Sequence, residues 1–274
     1  MKSTVKLLGI LMLLAGVILA GCGKSSTNQT GGKDTAAAGK KTLRVVTDAA
    51  YAPFEYMKGD KIVGFDVDFI QAVVKEAGYK AEVVHVGWDP LFVELENKRA
   101  DLGISSITIN DERKQTYDFS HPYFLSTNKI LVPKNSPVTS AEDLKNKVVA
   151  VQNGTTGQEA VEKMFGKNNK NLKKFENNNL AIMELNSGGA AAVVADNAVV
   201  EVYAKNNPEK KLKVIEDSKN FAIEFYGLAF PKGSKLRPEL DKAVEKVLKN
   251  GTYEKIYKKW FGRMPDINKL KEQQ

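Results

Sequence analysis

Twice along this chain short apolar runs alternate with stretches of helical period, and that alternation restricts the fold to α/β units with largely parallel sheets. Residues 43–48 read as a buried strand ending in an acid, Asp48. From Phe65 the period becomes helical: Phe69, Ile70, Val73, Val74 and Ala77 share one face, with Asp66 as a cap and Gly78 as a stop. Strands are expected at 81–86, 102–107 and 129–133, a helix at 91–97, and a helix start at Asp111. The second round places strands at 148–152, 190–194, 212–215 and 226–230. Its helices fall at 157–165, 180–185, 199–206, 238–249 and 253–261. Leu240, Val244, Val247 and Leu248 should face inward, as should Ile256, Tyr257 and Trp260 on the last helix.

The N-terminus is of another kind. Lys2 and Lys6 precede an unbroken apolar run over 7–20, closed by Gly21 and Cys22, which is the layout of a secretory signal peptide. At about 1.5 Å per residue the run is short for a hydrocarbon core about 30 Å thick. It resembles a bacterial lipobox, which implies cleavage before Cys22 and its conversion to an acylated N-terminus that carries a diacylglycerol thioether. More than one acyl chain is what stable anchoring requires. Residues 1–21 are therefore expected to be a lipoprotein signal peptide. Residues 22–41, rich in Gly, Ser, Thr, Asn and Lys, should form a flexible tether. The expected location is the extracytoplasmic face of the cell membrane, held by the lipid.

Because Cys22 is the only cysteine, disulfides, thiol catalysis and cysteine metal sites are excluded. The remaining chain of about 250 residues suffices for one large domain or two moderate ones. The net charge of +8 is carried by dispersed lysines mixed with acids, as in Lys242, Glu245 and Lys246. Such solvated faces suit an anionic membrane surface, and no nucleic-acid partner is expected. No metal or cofactor is expected either, and the protein should be a monomer.

Several motifs, in order, carry a resemblance over 43–262. They are Thr47-Asp48-Ala49-Ala50-Tyr51-Ala52-Pro53-Phe54-Glu55, Val63-Gly64-Phe65-Asp66-Val67-Asp68, Ile107-Thr108-Ile109-Asn110-Asp111-Glu112-Arg113, Asp118-Phe119-Ser120-His121-Pro122-Tyr123 and Tyr257-Lys258-Lys259-Trp260-Phe261-Gly262. This series resembles family 3 solute-binding proteins, which serve ABC importers of polar amino acids. The resemblance implies a two-lobed periplasmic-binding-protein-like fold of type II, α/β in class, with two hinge strands. One lobe would comprise 42–122 and 226–274, the other 123–225. A permease and its ATPase would be the partners.

Physical reasons stand beside that resemblance. Arg113 lies one turn into a helix that Asn110 can cap, and a guanidinium offers a planar fork to a carboxylate. The backbone N–H groups of Ser106 and Thr108 would add donors. The resemblance places a ligand α-carboxylate on Arg113; the ordinary alternative is a surface arginine paired with Glu112. Gln152-Asn153-Gly154-Thr155-Thr156-Gly157 is a small-residue turn whose following helix start favours an anion, a second jaw for the same carboxylate. Asp196 follows a buried strand at the edge where such sheets open a crevice. The family uses an acid there for the α-ammonium, although helix capping would also suit it. Tyr51 and Trp88 would form an aromatic slot able to hold a cation, or simply pack in the core. The expected ligand set is Asp48, Tyr51, Trp88, Ser105, Ser106, Thr108, Arg113, Gln152, Thr155, Thr156 and Asp196.

Charge selects among ligands. A zwitterionic amino acid neutralises Arg113 and Asp196 and leaves Asp48 unmatched, which is costly for a desolvated carboxylate. Glutamine-binding relatives carry a lysine where this chain has Gln152. A cationic side chain is the better fit: arginine first, then lysine, ornithine or histidine. Trp88-Asp89-Pro90-Leu91-Phe92 and Thr155-Thr156-Gly157-Gln158-Glu159-Ala160 also look most like arginine- and lysine-binding lipoproteins of the family. The chain departs from the family pattern at Ser106, where glycine is frequent, at Asn110, where threonine is frequent, and at Ala191, where an aspartate is usual. A non-enzymatic role is expected. The alternatives are a glutamine-binding protein, an extracytoplasmic dehydratase with Glu55 or Glu184 as its acid, and a tethered sensor or adhesin. His85 and His121 read as packing and hinge residues.

Overall fold

The structure is a computed structural model that describes residues 41–272. The signal peptide, Cys22 and nearly all of the tether lie outside the described residues. β1 (Thr42–Thr47) leads into a small meander of β2 (Ala50–Tyr51), β3 (Glu55–Lys58) and β4 (Lys61–Val63), which the sequence reading did not foresee. Then come α1 (Phe65–Glu76), β5 (Lys80–His85), α2 (Trp88–Glu96), β6 (Leu102–Gly103), α3 (Asp111–Thr116) and β7 (Tyr117–Phe119).

The long β8 (Phe124–Pro133) carries the chain into the second sheet. There it is followed by β9 (Val149–Gln152), α4 (Thr156–Phe165), β10 (Leu172–Phe175), α5 (Asn178–Asn186), β11 (Ala192–Asp196), α6 (Asn197–Asn206) and β12 (Leu212–Ile215). The chain returns through β13 (Ile223–Tyr226) and β14 (Ala229–Pro231) to α7 (Arg237–Lys249), α8 (Thr252–Phe261) and the short α9 (Asn268–Lys271).

The result is α/β with two main sheets. The first has the order β5-β1-β6-β14-β7 and the second β10-β9-β11-β8-β12, with β13 also paired to β8. Parallel pairing is confined to one end of each sheet, where β1 joins β5 and β6, and β9 joins β10 and β11. The expectation of largely parallel sheets is therefore corrected. β8 enters the second sheet, and β14 re-enters the first, as antiparallel strands, because each arrives from the other sheet. The antiparallel pair β8 and β13 (Ile223 opposite Thr127, Tyr226 opposite Phe124) makes the two linking strands.

The predicted strand at 226–230 is broken in the structure. Gly227 lies so close to Ile109 that a Cβ would come within 2.7 Å of it, and the chain restarts as β14. The run at 102–107 leaves the sheet after Gly103, and Ser106 adopts φ +50.

α1 buries Phe65, Phe69, Ile70, Val73 and Val74 on one face, as its period requires, and Gly78 at φ +86 follows its end. Asp66 does not cap the helix. It is wholly buried, and its Oδ2 accepts Ser106 N–H and Tyr123 O–H, both at 2.8 Å. α7 buries Leu240, Val244, Val247 and Leu248 as expected. In α8 the deepest residue is Tyr253, whose hydroxyl donates to the Tyr123 carbonyl at 2.7 Å, while Ile256 and Trp260 are only partly covered.

Phe54 is the centre of this core, with the rings of Phe65, Phe124, Tyr226 and Phe261 at 4.9–6.0 Å. It gets there because Gly64, at φ +146, lets the start of α1 run against the Phe54 backbone. A Cβ on Gly64 would lie 1.9 Å from the Phe54 carbonyl oxygen, and one on Gly78 would touch nothing. Gly64→Ala is therefore expected to cost about 3 kcal/mol or more, and Gly78→Ala only about 1–2 kcal/mol. Denaturant midpoints of the two variants measure this; equal losses would contradict it.

Candidate ligand-binding site

Every ligand residue expected from sequence lines one cavity between the two sheets. Its floor comes from strand ends. Asp48 directly follows β1, and its N–H donates to Ser105 Oγ at 3.0 Å. Ser105 in turn donates to Glu55 at 3.1 Å. Glu55 thus lies behind the serine and is absent from the lining. Burial, and then the neighbouring Asp66 charge, raise its carboxyl far above the usual range; Asp66 is pushed up to about 6 by burial. Glu184 lies on α5 in an ion pair with Lys173 at 2.5 Å. Neither acid proposed for a dehydratase reaches the cavity.

Arg113 is held twice. Asn110 caps α3 by accepting the Arg113 N–H at 2.8 Å. The guanidinium donates through Nη1 to the Thr108 carbonyl at 2.9 Å and through Nη2 to the Gly154 carbonyl at 3.1 Å. It also lies 5.4 Å from the centre of the Trp88 ring and 5.7 Å from Phe92. The pairing with Glu112 considered above is not what holds it. Trp88 begins α2, and its indole N–H donates to the same Gly154 carbonyl at 3.3 Å. The two sides of the cavity meet at Gly154, whose φ of +69 turns its carbonyl toward them. Of the expected aromatic slot, Trp88 already has a guanidinium on its ring. Tyr51 donates its hydroxyl to Asp196.

Ser106 lines the cavity, but its N–H is engaged by Asp66 and so is not the free donor expected from sequence. Its left-handed backbone, φ +50, also explains why glycine is frequent at this position. Thr155 caps α4, its hydroxyl accepting Gln158 N–H at 3.3 Å and donating to the Gln152 carbonyl at 2.8 Å. Asp196 ends β11 and makes no side-chain cap to α6, which removes the capping alternative. Burial raises its carboxyl; bonds from Tyr226 and Tyr51 and the charge of Arg113 oppose that.

Gln152 donates to Asp48 at 3.2 Å and to the Glu176 carbonyl at 3.2 Å, while its own carbonyl accepts Asn178 at 3.0 Å. His85 Nδ1 stands 3.9 Å from Asp48 and accepts the Ala49 N–H at 2.9 Å, so no hydrogen bond joins it to the Asp48 carboxylate. Burial raises the Asp48 carboxyl, and the Gln152 amide only partly offsets this. His121 lies in another part of the molecule, 3.4 Å from Glu245.

Sequence reasoning missed Glu224. Near the start of β13, it accepts Thr108 O–H, Thr156 O–H and Asn128 Nδ2–H, all at 2.8 Å. Burial, and then the Asp196 charge, push its carboxyl up to about 7. The only signal was one acid inside the run Phe221-Ala222-Ile223-Glu224-Phe225-Tyr226. Among the described residues, no grouping of His, Cys, Asp and Glu could hold a metal ion.

Residues 43–263 match the family described as bacterial extracellular solute-binding proteins, family 3. The chain belongs to this family. Its two-sheet architecture has a likeness in the crystal structure of the arginine-, lysine-, histidine-binding protein ArtJ from Geobacillus stearothermophilus. That chain is 58% identical with a TM-score of 0.83, the match covering 84% of this chain and 100% of the other. A probable histidine-binding protein of Neisseria gonorrhoeae is 44% identical over 85% of this chain and 88% of its own length. The arginine-binding extracellular protein ArtP of Bacillus subtilis is 36% identical over 92% and 97%. Among the described residues no helix is long and apolar enough to cross a membrane.

Arg113 lowers the titration of Glu224, Asp196 and Glu159. Arg113→Met should therefore move Glu224 above its value near 7. Carboxyl carbon chemical shifts of labelled glutamate followed through a pH titration would show this, and a downward shift would contradict it.

Proposed function

We propose that this protein captures a basic L-amino acid in the cavity and presents it to an ABC permease and its ATPase, held at the membrane by a lipid on Cys22. Arginine is the first candidate, then lysine, ornithine or histidine. The single observation that carries the choice is Asp48. Its carboxylate is buried and lines the cavity; among the described residues its one side-chain hydrogen bond comes from the neutral amide of Gln152, with His85 3.9 Å away. An amino-acid head group placed between Arg113 and Asp196 would leave that acid for a cationic side chain. Glu224 adds a further acid beside Arg113, so the imbalance is larger than the sequence suggested. The relatives named for arginine, lysine and histidine support the same reading.

The division into a lobe of 42–122 with 226–274 and one of 123–225 belongs to this proposal. Binding would favour the closed arrangement because the guest touches both sides. Asp48→Asn is expected to weaken arginine by about 30-fold or more and glutamine by less than about threefold, since truncating a buried charge partner costs about 2 kcal/mol or more. Calorimetric titration of both amino acids tests this; equal losses would refute the role of Asp48.

The raised carboxyls predict a pH dependence with a definite sign. A bound cation lowers their titration, so binding releases protons, and affinity for arginine should rise with pH. The window runs from about 4.5, the usual value for glutamate, to the Glu224 value near 7. Titrations in buffers of different ionisation enthalpy would count the protons released. Proton uptake, or an affinity that falls with rising pH, would contradict the scheme.

A further inference from the structure

We infer that Glu224 is a positioning residue: from the linking strand it orients one hydroxyl on each side of the cavity so that both present lone pairs to the guest's α-ammonium. The inference rests on the amino-acid reading above but not on which side chain is bound. One oxygen, Oε2, accepts both Thr108 O–H, from the side of the first sheet, and Thr156 O–H, from the first residue of α4. The other, Oε1, accepts the Asn128 amide. Thr108 and Thr156 line the cavity along with Asp196.

A hydroxyl has one proton and two lone pairs. Once the proton is given to a carboxylate, only acceptor capacity remains for the cavity. Two such oxygens beside the Asp196 carboxylate make a cradle for an ammonium and are poor partners for a carboxylate. Thr156 also accepts the Asn128 amide at 3.3 Å, which fixes its proton on Glu224. The charged groups near Glu224 are Asp196 on β11, Arg113 on α3 and Glu159 on α4; the guanidinium opposes the two acids, and an arriving ammonium favours the ionised form.

The same carboxylate also ties the two sides together. Thr108 pairs with Tyr226 as an isolated bridge, and Thr156, the first residue of α4, takes the amide of Asn128 on β8.

The test compares a ligand with and without its α-amino group at pH 8, where Glu224 is ionised. The probes are L-arginine against 5-guanidinopentanoate, and L-glutamine against 4-carbamoylbutanoate, titrated calorimetrically into wild type and Glu224→Gln. The variant's amide has a single acceptor and must turn its NH2 group toward one of the three donors. Arginine should lose about 10- to 100-fold in affinity and its des-amino analogue less than about threefold, the range expected for hydrogen bonds to a charged group. Equal losses for both probes would make Glu224 merely structural and overturn the inference, as would unchanged arginine binding. If Glu224→Gln does not fold, Thr156→Val is judged by the same pair, with the same selective loss expected. Should wild type bind glutamine but neither arginine nor lysine, the basic-ligand reading fails, and the glutamine pair still decides the role of Glu224. Binding of none of these probes to wild type would overturn both.

Discussion

A carboxylate taken out of water keeps its charge only where donors meet it, and this protein withdraws several together. The donors come from segments far apart in sequence. Asp66 on α1 takes the Ser106 amide and the Tyr123 hydroxyl, Asp196 takes Tyr51 from the opposite side, and Glu224 takes Thr108 and Thr156. Satisfying each acid therefore fixes loops from both sheets against one another. The left-handed turn at Ser106 and the end of β6 after Gly103 both serve Asp66.

The alternation of strand and helix, the faces of α1 and α7 and the Asn110 cap on Arg113 were legible because each rests on local period or local chemistry. So was the set of residues gathered at the cavity, through the ordered motifs. What could not be read came from longer range. Asp66 looks like a cap by position, yet two partners 40 and 57 residues away draw it inward. Pairing direction depends on which sheet a strand arrives from, and that is a property of topology rather than of β8 or β14 themselves. Glu224 lies within an apolar run whose pattern gives no hint that Thr108 and Thr156 converge on it. Tyr253, rather than Trp260, is deepest in α8 because the Tyr123 carbonyl needs its hydroxyl.

Arg113 is the counterweight to this acid cluster. Burial lowers its own pKa, while Glu159, Glu224 and Asp196 hold the charge in place. The guanidinium keeps its geometry through carbonyls and aromatic rings rather than through ion pairs, so its fork remains electrostatically available to a guest.

Gln152 is braced by Asn178 and the Glu176 carbonyl at the α5 end of the cavity, whereas Arg113 is braced by Asn110 and Thr108 at the α3 end. The two ends share only the turn that follows Gln152, whose Gly154 carbonyl takes the Arg113 guanidinium. A change at residue 152 would therefore alter what faces Asp48 while leaving the Asn110 cap and the Thr108 carbonyl on Arg113 in place.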